Sequence, residues 1–297
     1  MNEMHHTDKN KRKDKIIAVL FTILMLAGLA CLLYPPTSDV VNTVNQTSAI
    51  RLYRKELADL PEVQYEQEYR KAKRYNDKLR TLSCPLVDAK DELTEYEDML
   101  NAGGNNIMGI INIPKIDIYL PIYHGTENAV LGNGVGHLEG SSLPIGGEST
   151  HAVIAAHRGA TNARLFTDID SLDIGDNFSV IVLDKVLTYE IDNIVTVLPE
   201  ETKDLEIVDG EDYVTLQTCT PYGINSHRLL VRGKHIKTEK ANSKTSNKYD
   251  YQETVTTIMS VLTNKRNLVP VLAATGMVIV FVGLRIIVNV KRSKKMR

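Results

Sequence analysis

One cysteine, one histidine and one arginine carry the reactive chemistry that this sequence offers. Cys219 ends the strand-like run DYVTLQTC, Arg228 begins the next such run, and His157 ends the apolar run HAVIAAH. A cysteine attacks a carbonyl carbon as its thiolate, which an unperturbed thiol forms only slightly at neutral pH. It therefore needs a neighbouring base or cation, and a donor for the oxyanion that forms on attack. The pattern favours nucleophilic chemistry at Cys219 if the fold brings these side chains together.

The segment between Cys219 and Arg228 predicts that the two residues lie side by side. It contains Pro221 and Gly223, which are typical of the loop between two paired strands. Strands joined in this way are neighbours in a sheet, so Arg228 is expected near the thiol.

His157 is the favoured base among several histidines. It stands where an apolar strand opens into a loop, a common position for catalytic groups. His227 directly precedes Arg228, and adjacent residues of a strand point to opposite faces, so His227 is expected to face away from the cysteine. The sequence specifies no partner for three further histidines, His124, His137 and His151.

Composition and the absence of other motifs narrow the possible functions. The chain has 297 residues and a formal charge of −2, which gives no indication of a nucleic-acid partner. It has no CxxC, HExxH or short His/Cys ligand pair to indicate a metal, and no GxSxG to indicate a serine hydrolase.

A structural role for the cysteines is the alternative. Of the three cysteines, Cys31 lies in an apolar run, which leaves Cys84 and Cys219 as the pair that could form a disulfide.

Two apolar runs predict membrane spans at residues 16–34 and 268–290. Each is about the length needed to cross a bilayer, and the first is too long for a cleaved signal peptide. Basic residues precede the first run and follow the second. Because positive charge stays on the cytoplasmic side, both termini are expected in the cytoplasm, with the intervening chain extracellular.

The chain between the two runs changes character near Ile107. Before it, helical periodicity covers residues 49–82 with a break at Pro61, and residues 83–104 form a charged connection too acidic for the core. After it come seven short β-branched runs separated by turn residues, which indicate a β-barrel or sandwich. A short helix is predicted at residues 161–172 and a polar linker at residues 237–249.

Two longer stretches resemble the sortases, the cysteine transpeptidases of Gram-positive cell surfaces. TLQTCTPYGINSHRLLVRG resembles their active-site strand pair, and GHLEGSSLPIGGESTHAVIAAHRG resembles their histidine-bearing segment. The continuation after the cysteine, the N-terminal extension and the second apolar run resemble class C, the pilin-polymerising sortases. The resemblance implies a mainly β fold: an eight-stranded closed barrel with N-terminal helices and a lid loop.

The resemblance also implies a role for each site residue. Cys219 corresponds to the nucleophile, His157 to the general acid/base and Arg228 to the oxyanion or substrate-positioning donor. The implied partners are pilin or surface-protein precursors with an LPxTG-like signal, cleaved between Thr and Gly, and an amine from a pilin lysine or a peptidoglycan precursor. No cofactor and no metal are implied. The rival functions are a general sortase that anchors proteins to peptidoglycan, and a silent surface module with a Cys84–Cys219 disulfide.

The predicted lid departs from the class C pattern of Asp-Pro-aromatic. The matching stretch reads LVDAKDEL, so Asp88 fits the acidic position while Ala89 and Lys90 replace the proline and the ring. Asp88 is expected to pair with Arg228. Either Leu86 or Leu93 is expected to take the place of the ring over Cys219, or the lid is looser than usual.

The predicted organisation from the N-terminus is therefore a basic cytoplasmic tail, a span, extracellular helices with the lid, a catalytic barrel, a linker, a second span and a basic cytoplasmic tail. Their boundaries are 1–15, 16–34, 35–106, 107–237, 238–267, 268–290 and 291–297.

Overall fold

A computed structural model of the chain describes residues 2–101, 104–159, 164–241, 259 and 263–295. The chain divides into two compact units: residues 1–41 with 257–297, and residues 42–256. The described helices are α1 (Asn2–Asp59), α2 (Glu62–Leu79), α3 (Pro85–Glu92), α4 (Asn128–Leu131) and α5 (Lys265–Lys295). The described strands are β1 (Ile107–Ile113), β2 (Ile118–His124), β3 (Val135–His137), β4 (Thr150–Ala155), β5 (Asn177–Val182), β6 (Lys185–Val197), β7 (Asp212–Thr220) and β8 (His227–Lys240).

The eight strands close into a barrel in the order β1-β2-β3-β4-β7-β8-β6-β5. The predicted closed, mainly β barrel is confirmed. Seven of its strands coincide with the β-branched runs of the sequence, whereas β3, of three residues, carries too short a pattern to be recognised. The pairs β2–β3 and β4–β7 are parallel, and the other neighbours are antiparallel.

Within the described residues, one helix, α1, is long and apolar enough to cross a membrane. The helical segment Ile16–Asp59 reaches a mean hydropathy of 2.9 in its most apolar window, and none of that window is buried within the protein. Among the described residues the structure supports one such helix rather than the two predicted, and the apolar segment of α5 is the shorter Asn267–Gly283.

Several boundaries differ from the predicted ones. Pro61 does separate two helices, as expected: α1 ends at Asp59, and Pro61 stands in an extended conformation directly before α2. The described part of the connection at residues 83–104 is not excluded from the core, since it folds into α3 and a 3-10 turn that buries the ring of Tyr96. The described part of residues 161–172 forms a 3-10 turn, Ile169–Ser171, rather than an α-helix. β8 continues to Lys240, into the predicted linker, by pairing with β6.

The sheet formed by β4, β7 and β8 has two differently packed faces. Side chains alternate between faces along a strand. Those of Ile154, Leu216 and Val231 point into the main core of the barrel. Val153 and Leu230 lie on the opposite, outer face, in a smaller apolar cluster with Val197 and Leu205; Leu86 of α3 and Leu138 pack against it. The outer face of β4, β7 and β8 is therefore the face that α3 partly covers.

Candidate active site

Cys219 and Arg228 are direct partners across the β7–β8 pair. The antiparallel register places Cys219 opposite Arg228, as the hairpin pattern predicted. Both side chains are half-buried, and the cysteine is free. Because paired residues share a face of the sheet, Arg228 lies on the same side of the strands as the thiol. Residues two apart on a strand share a face, so Arg228 lies on the outer face with Leu230. Cys219, its partner across the pair, lies on the same face.

The parallel pairing of β4 with β7 brings His157 to the same place. The register ends at Ala155 opposite Gln217. It continues through a bond from the Ala156 N–H to the Gln217 carbonyl at 3.1 Å, and through a bond from Arg158 Nη1 to the Thr220 hydroxyl at 3.2 Å. His157, between these two contacts, is thus in register with Cys219. The three residues predicted to act together form one row across β4, β7 and β8.

The other three candidate histidines are part of the buried hydrogen-bond framework. His137 has Nδ1 3.0 Å from the Tyr96 hydroxyl and Nε2 2.8 Å from the Ser142 carbonyl oxygen. Burial lowers its pKa to about 4. His151 lies between the Glu206 carbonyl and the Thr215 hydroxyl, and burial lowers its pKa too.

His124 lies between the carbonyl oxygens of Asn106, 3.2 Å from Nδ1, and Met99, 2.7 Å from Nε2. Such side chains stabilise the core and have no free nitrogen for an incoming substrate. By contrast, the ring of His157 is half-exposed and has no hydrogen bond within the described part of the chain.

Asp88 does not pair with Arg228, contrary to the prediction. Its carboxylate accepts a hydrogen bond from the Cys84 N–H at 2.9 Å, at the first turn of α3. The Arg228 guanidinium donates instead to the carbonyls of Asn225 at 3.3 Å and His227 at 3.1 Å. A carboxylate at the start of a helix satisfies an amide that the helix leaves unpaired, and this local contact determines the orientation of Asp88.

α3 lies over the outer face of the barrel, as the predicted lid would. Its close packing there depends on Gly140. Gly140 has a φ of +87°, and a Cβ built there would lie 2.6 Å from the Pro85 carbonyl oxygen and 2.7 Å from Leu86 Cα. The backbone of α3 therefore packs directly on the segment after β3. Of the two leucines expected to replace the lid ring, Leu86 lies on the outer-face cluster, whereas Leu93 is buried in the main core.

Arg158 is a site residue that the sequence did not reveal. Its side chain is 11% exposed and is bonded to Thr220, the residue after Cys219, and to the carboxylate of Asp170. Gly159, which follows it, has a φ of +75°, and a Cβ there would lie 2.4 Å from the Tyr222 ring. The bond from Arg158 to Thr220 and the close approach of Gly159 to the Tyr222 ring join the loop after His157 to the loop after Cys219. The sequence signal was present in the triplet His-Arg-Gly, but Thr220, the partner that connects Arg158 to β7, lies 62 residues further along the chain.

The cysteines are free, which removes the basis for the silent-module alternative. Cys84 is exposed at the start of α3, Cys31 is exposed on α1, and Cys219 is half-buried. Within the described residues there is no group of three or more His, Cys, Asp or Glu side chains that could hold a metal ion.

A polar cleft of about 390 Å³ lies at the other end of β7, where Tyr69, Lys185, Asp212 and His235 line it. Burial raises the pKa of Asp212. At about 3.3 Å per residue, the seven residues from Asp212 to Cys219 separate this cleft from the thiol by roughly 23 Å.

The sequence profile of the sortase domain matches residues 111–236, which contain the whole row of Cys219, His157 and Arg228. Sortase C1 of Streptococcus agalactiae has a similar structure, with a TM-score of 0.60 and 46% identity over 62% of this chain and 96% of that one. Sortase C of Streptococcus pneumoniae gives a TM-score of 0.58 and 43% identity over 64% and 96% of the two chains.

The chain therefore belongs to the sortase family, whose members are cysteine transpeptidases. Its structural neighbours are class C sortases. Among curated relatives, sortase D of Bacillus subtilis is 30% identical over 131 residues. That alignment covers 43% of this chain and 63% of the relative, less than two-thirds of its length.

Proposed function

We propose that this protein is a membrane-anchored cysteine transpeptidase that joins surface proteins by way of a thioester on Cys219. The observation that carries the proposal is the row formed by His157, Cys219 and Arg228 on the outer face of three neighbouring strands. It supplies a nucleophile, an acid/base group and a cationic donor, which are the three functions that acyl transfer through cysteine requires.

The first half of the reaction forms the acyl-enzyme. The Cys219 thiolate attacks the Thr carbonyl carbon of an LPxTG-like signal, and the oxygen that gains charge accepts hydrogen bonds from the Arg228 guanidinium. His157, as the imidazolium, gives its proton to the nitrogen of the departing Gly. The carbon–nitrogen bond breaks, the carbon–sulfur bond remains as a thioester, and the Gly-containing fragment leaves as an amine.

The second half transfers the acyl group. An amine attacks the thioester carbon, His157 takes the proton that the amine loses, and the thiolate of Cys219 leaves. One amide bond has been broken and one formed, so no external energy source is needed. We propose that the amine is the side chain of a pilin lysine; the name of the similar Streptococcus pneumoniae structure refers to pilin substrate specificity, and the chain is 43% identical to it. A peptidoglycan amine is the second candidate.

The apolar segment of α1 supports the proposed position at the membrane. Its side chains are exposed along the helix, and basic residues precede it in the sequence, which favours a cytoplasmic N-terminus and an extracellular barrel. The barrel would then face the secreted proteins whose sorting signals it cleaves.

Intact mass spectrometry of the full chain in detergent tests the acyl-enzyme. Incubated with an LPxTG peptide under reducing conditions, the wild type is expected to gain the mass of the acyl fragment. Cys219→Ala should gain none, whereas Cys84→Ala, which removes the exposed thiol of α3, should gain as much as the wild type. An adduct that persists in Cys219→Ala would remove Cys219 as the nucleophile.

The acceptor is decided by competition. A pilin peptide with a single lysine and a peptidoglycan stem peptide are offered together at equal concentration to the acyl-enzyme. The expected product is an isopeptide to the pilin lysine. A product formed only with the stem peptide would make the protein a wall-anchoring sortase while leaving the thioester chemistry intact.

A further inference from the structure

Gln217 lies beside the proposed reaction centre on the same face of the sheet. It precedes Cys219 by two residues on β7, so both side chains point outwards and their Cα atoms are about 6.6 Å apart. Its register partners are Ala155 on β4 and Leu230 on β8. Two residues further along these strands are His157 and, in the opposite chain direction, Arg228.

The side-chain oxygen of Gln217 is buried and unpartnered. It has almost no contact with solvent, and no hydrogen-bond donor reaches it within the part of the chain that the structure describes. A buried amide without a partner destabilises a folded protein, and such groups are rare enough that each calls for an explanation.

The neighbouring residues of the sheet cannot supply the missing donor. Ala155 and Leu230 have apolar side chains, and Leu230 belongs to the outer-face cluster with Val153 and Leu86. The backbone groups on either side of β7 are engaged in pairing with β4 and β8. The Gln217 side-chain oxygen is covered in the free enzyme, so a donor from a bound substrate reaches it only after the side chains above this face move. α3 partly covers the face, with Leu86 packed against the outer-face cluster that contains Leu230, so displacement of α3 is the movement that exposes Gln217.

A peptide cleaved at Cys219 passes over this face. Its scissile carbonyl has to reach the sulfur between His157 and Arg228, and an extended chain advances about 3.3 Å per residue. The residues of an LPxTG-like signal that precede the Thr then lie above Gln217. The Pro among them has no N–H, so the donor is the main-chain N–H of the variable residue or of the Leu. Every residue other than proline carries a main-chain N–H that can donate a hydrogen bond.

We propose that Gln217 is a substrate-positioning residue whose side-chain oxygen accepts a hydrogen bond from a main-chain N–H of the bound sorting peptide. The inference rests on the proposed function, because it requires a peptide at Cys219. The contact to the main chain fixes the alignment of the peptide along β7, and its partner is absent from the free enzyme. The same amide therefore costs stability in the free enzyme and contributes affinity in the complex.

This dual effect gives a test that a purely structural residue would fail. Gln217→Met keeps the size of the side chain and removes the amide, and the full chain is assayed in detergent. We expect the thermal midpoint to rise by about 2 °C, because an unpaired buried group is lost. We expect kcat/KM for the LPxTG peptide to fall about tenfold, as for the loss of one hydrogen bond. Alkylation of Cys219 by iodoacetamide should stay within twofold of wild type.

Two further variants serve as controls. Tyr75→Phe removes another buried, unpartnered polar atom, the hydroxyl on α2, which is in the main core. It should raise the thermal midpoint and leave kcat/KM unchanged. Gln217→Glu keeps an acceptor oxygen at the same position and should retain more activity than Gln217→Met.

The proposal is overturned if Gln217→Met has wild-type kcat/KM, or if the variant melts lower because the amide was paired after all. A wild type that forms no acyl-enzyme contradicts the proposed function and leaves the role of Gln217 to a separate measurement. Peptide affinity is then compared between Cys219→Ala and the Cys219→Ala, Gln217→Met double variant by calorimetry. Equal dissociation constants would overturn the role of Gln217, and weaker binding by the double variant would support it.

Discussion

Arg158 donates a hydrogen bond to the hydroxyl of Thr220 at 3.2 Å, and thereby joins the residue after His157 to the residue after Cys219. The two predicted catalytic side chains belong to strands that meet only through tertiary pairing. Their separation depends on the ends of β4 and β7 staying together beyond the last ladder pair. Arg158 supplies that contact, and its bond to Asp170 holds the guanidinium in place.

Loss of the Arg158–Thr220 contact is expected to slow acyl transfer without weakening peptide binding. For Arg158→Gln we predict a decrease in kcat of about tenfold, with KM within twofold of wild type, since the ground-state contacts with peptide remain. Thr220→Val removes only the acceptor oxygen and should act in the same direction. Steady-state cleavage of a fluorogenic LPxTG peptide measures both constants.

Arg164→Gln is the matched control for Arg158→Gln. Arg164 is on the same segment and also forms ion pairs, with Asp168 and Asp117, but none of its described contacts reaches β7. Its kcat should remain near wild type. If Arg158→Gln and Thr220→Val combine additively in the double variant, the two residues do not act through their mutual contact.

The lid is expected to loosen when Gly140 is replaced. A Cβ in Gly140→Ala would lie 2.6 Å from the Pro85 carbonyl, so α3 must shift away from the barrel. We predict that iodoacetamide alkylates Cys219 at least threefold faster in this variant. Gly210→Ala is the control, because Gly210 has a similar φ of +80° but no atom within 4 Å of the added Cβ. Equal alkylation rates in the two variants would show that backbone strain, not lid displacement, is responsible.

Asp88 is expected to act on the lid through the helix rather than through Arg228. Asp88→Ala removes the carboxylate that accepts the Cys84 N–H, a change of the kind that costs a helix start about 1 kcal/mol. Peptide cleavage should rise about two- to fivefold as α3 opens more often. Asp91→Ala alters the charge of the same helix without removing this bond, so its cleavage rate should not change. A faster rate in Asp91→Ala would make helix charge the cause.

Acid is expected to destabilise the fold between about pH 6.5 and pH 4. The pKa of His137 is lowered by burial to about 4 from an ordinary value of 6.5, so in that interval the unfolded chain binds a proton that the folded chain does not. The free energy of unfolding therefore rises with pH across this window, by about 3 kcal/mol for this one group. Burial lowers the pKa of His151 as well, with the same sign.

Urea unfolding of the full chain in detergent at pH 7.0 and pH 5.0, with NMR titration of the histidine ring signals, measures this effect. A stability that is flat between these values, or a His137 signal that titrates near 6.5, would contradict the prediction.

The sequence was sufficient for the parts of the site that are local along the chain. Cys219 and Arg228 are separated by one loop, so strand alternation and turn residues predicted their pairing and the opposite orientation of His227. The position of β4 beside β7 could not be derived in this way, because parallel neighbours are joined by a long connection and leave no pattern in either strand. The position of His157 at the end of an apolar strand made it the favoured histidine, but its proximity to Cys219 was implied only by the resemblance to sortases.

For Asp88, by contrast, the family resemblance predicted a contact that the structure does not have. The family pattern suggested a contact with a distant arginine, but a nearer partner, the amide at the start of its own helix, was available. β3 was not predicted, because three residues are too few to show a strand pattern. The burial of Tyr96 was not predicted either, because it lies in an acidic segment that was expected to stay outside the core. That ring is buried because its hydroxyl bonds His137 within the core.

The parallel pairing of β4 with β7 also determines when reactivity can arise during the life of the chain. The contact between Ala156 and Thr218 joins residues 62 positions apart, and contacts of such long range form late in folding because closing the loop is entropically costly. Before β4 pairs with β7, Cys219 lies beside neither His157 nor the neighbouring strand that completes the site. A chain still being exported would therefore carry an ordinary cysteine, and the ability to cut and join other proteins would arise only with the completed barrel.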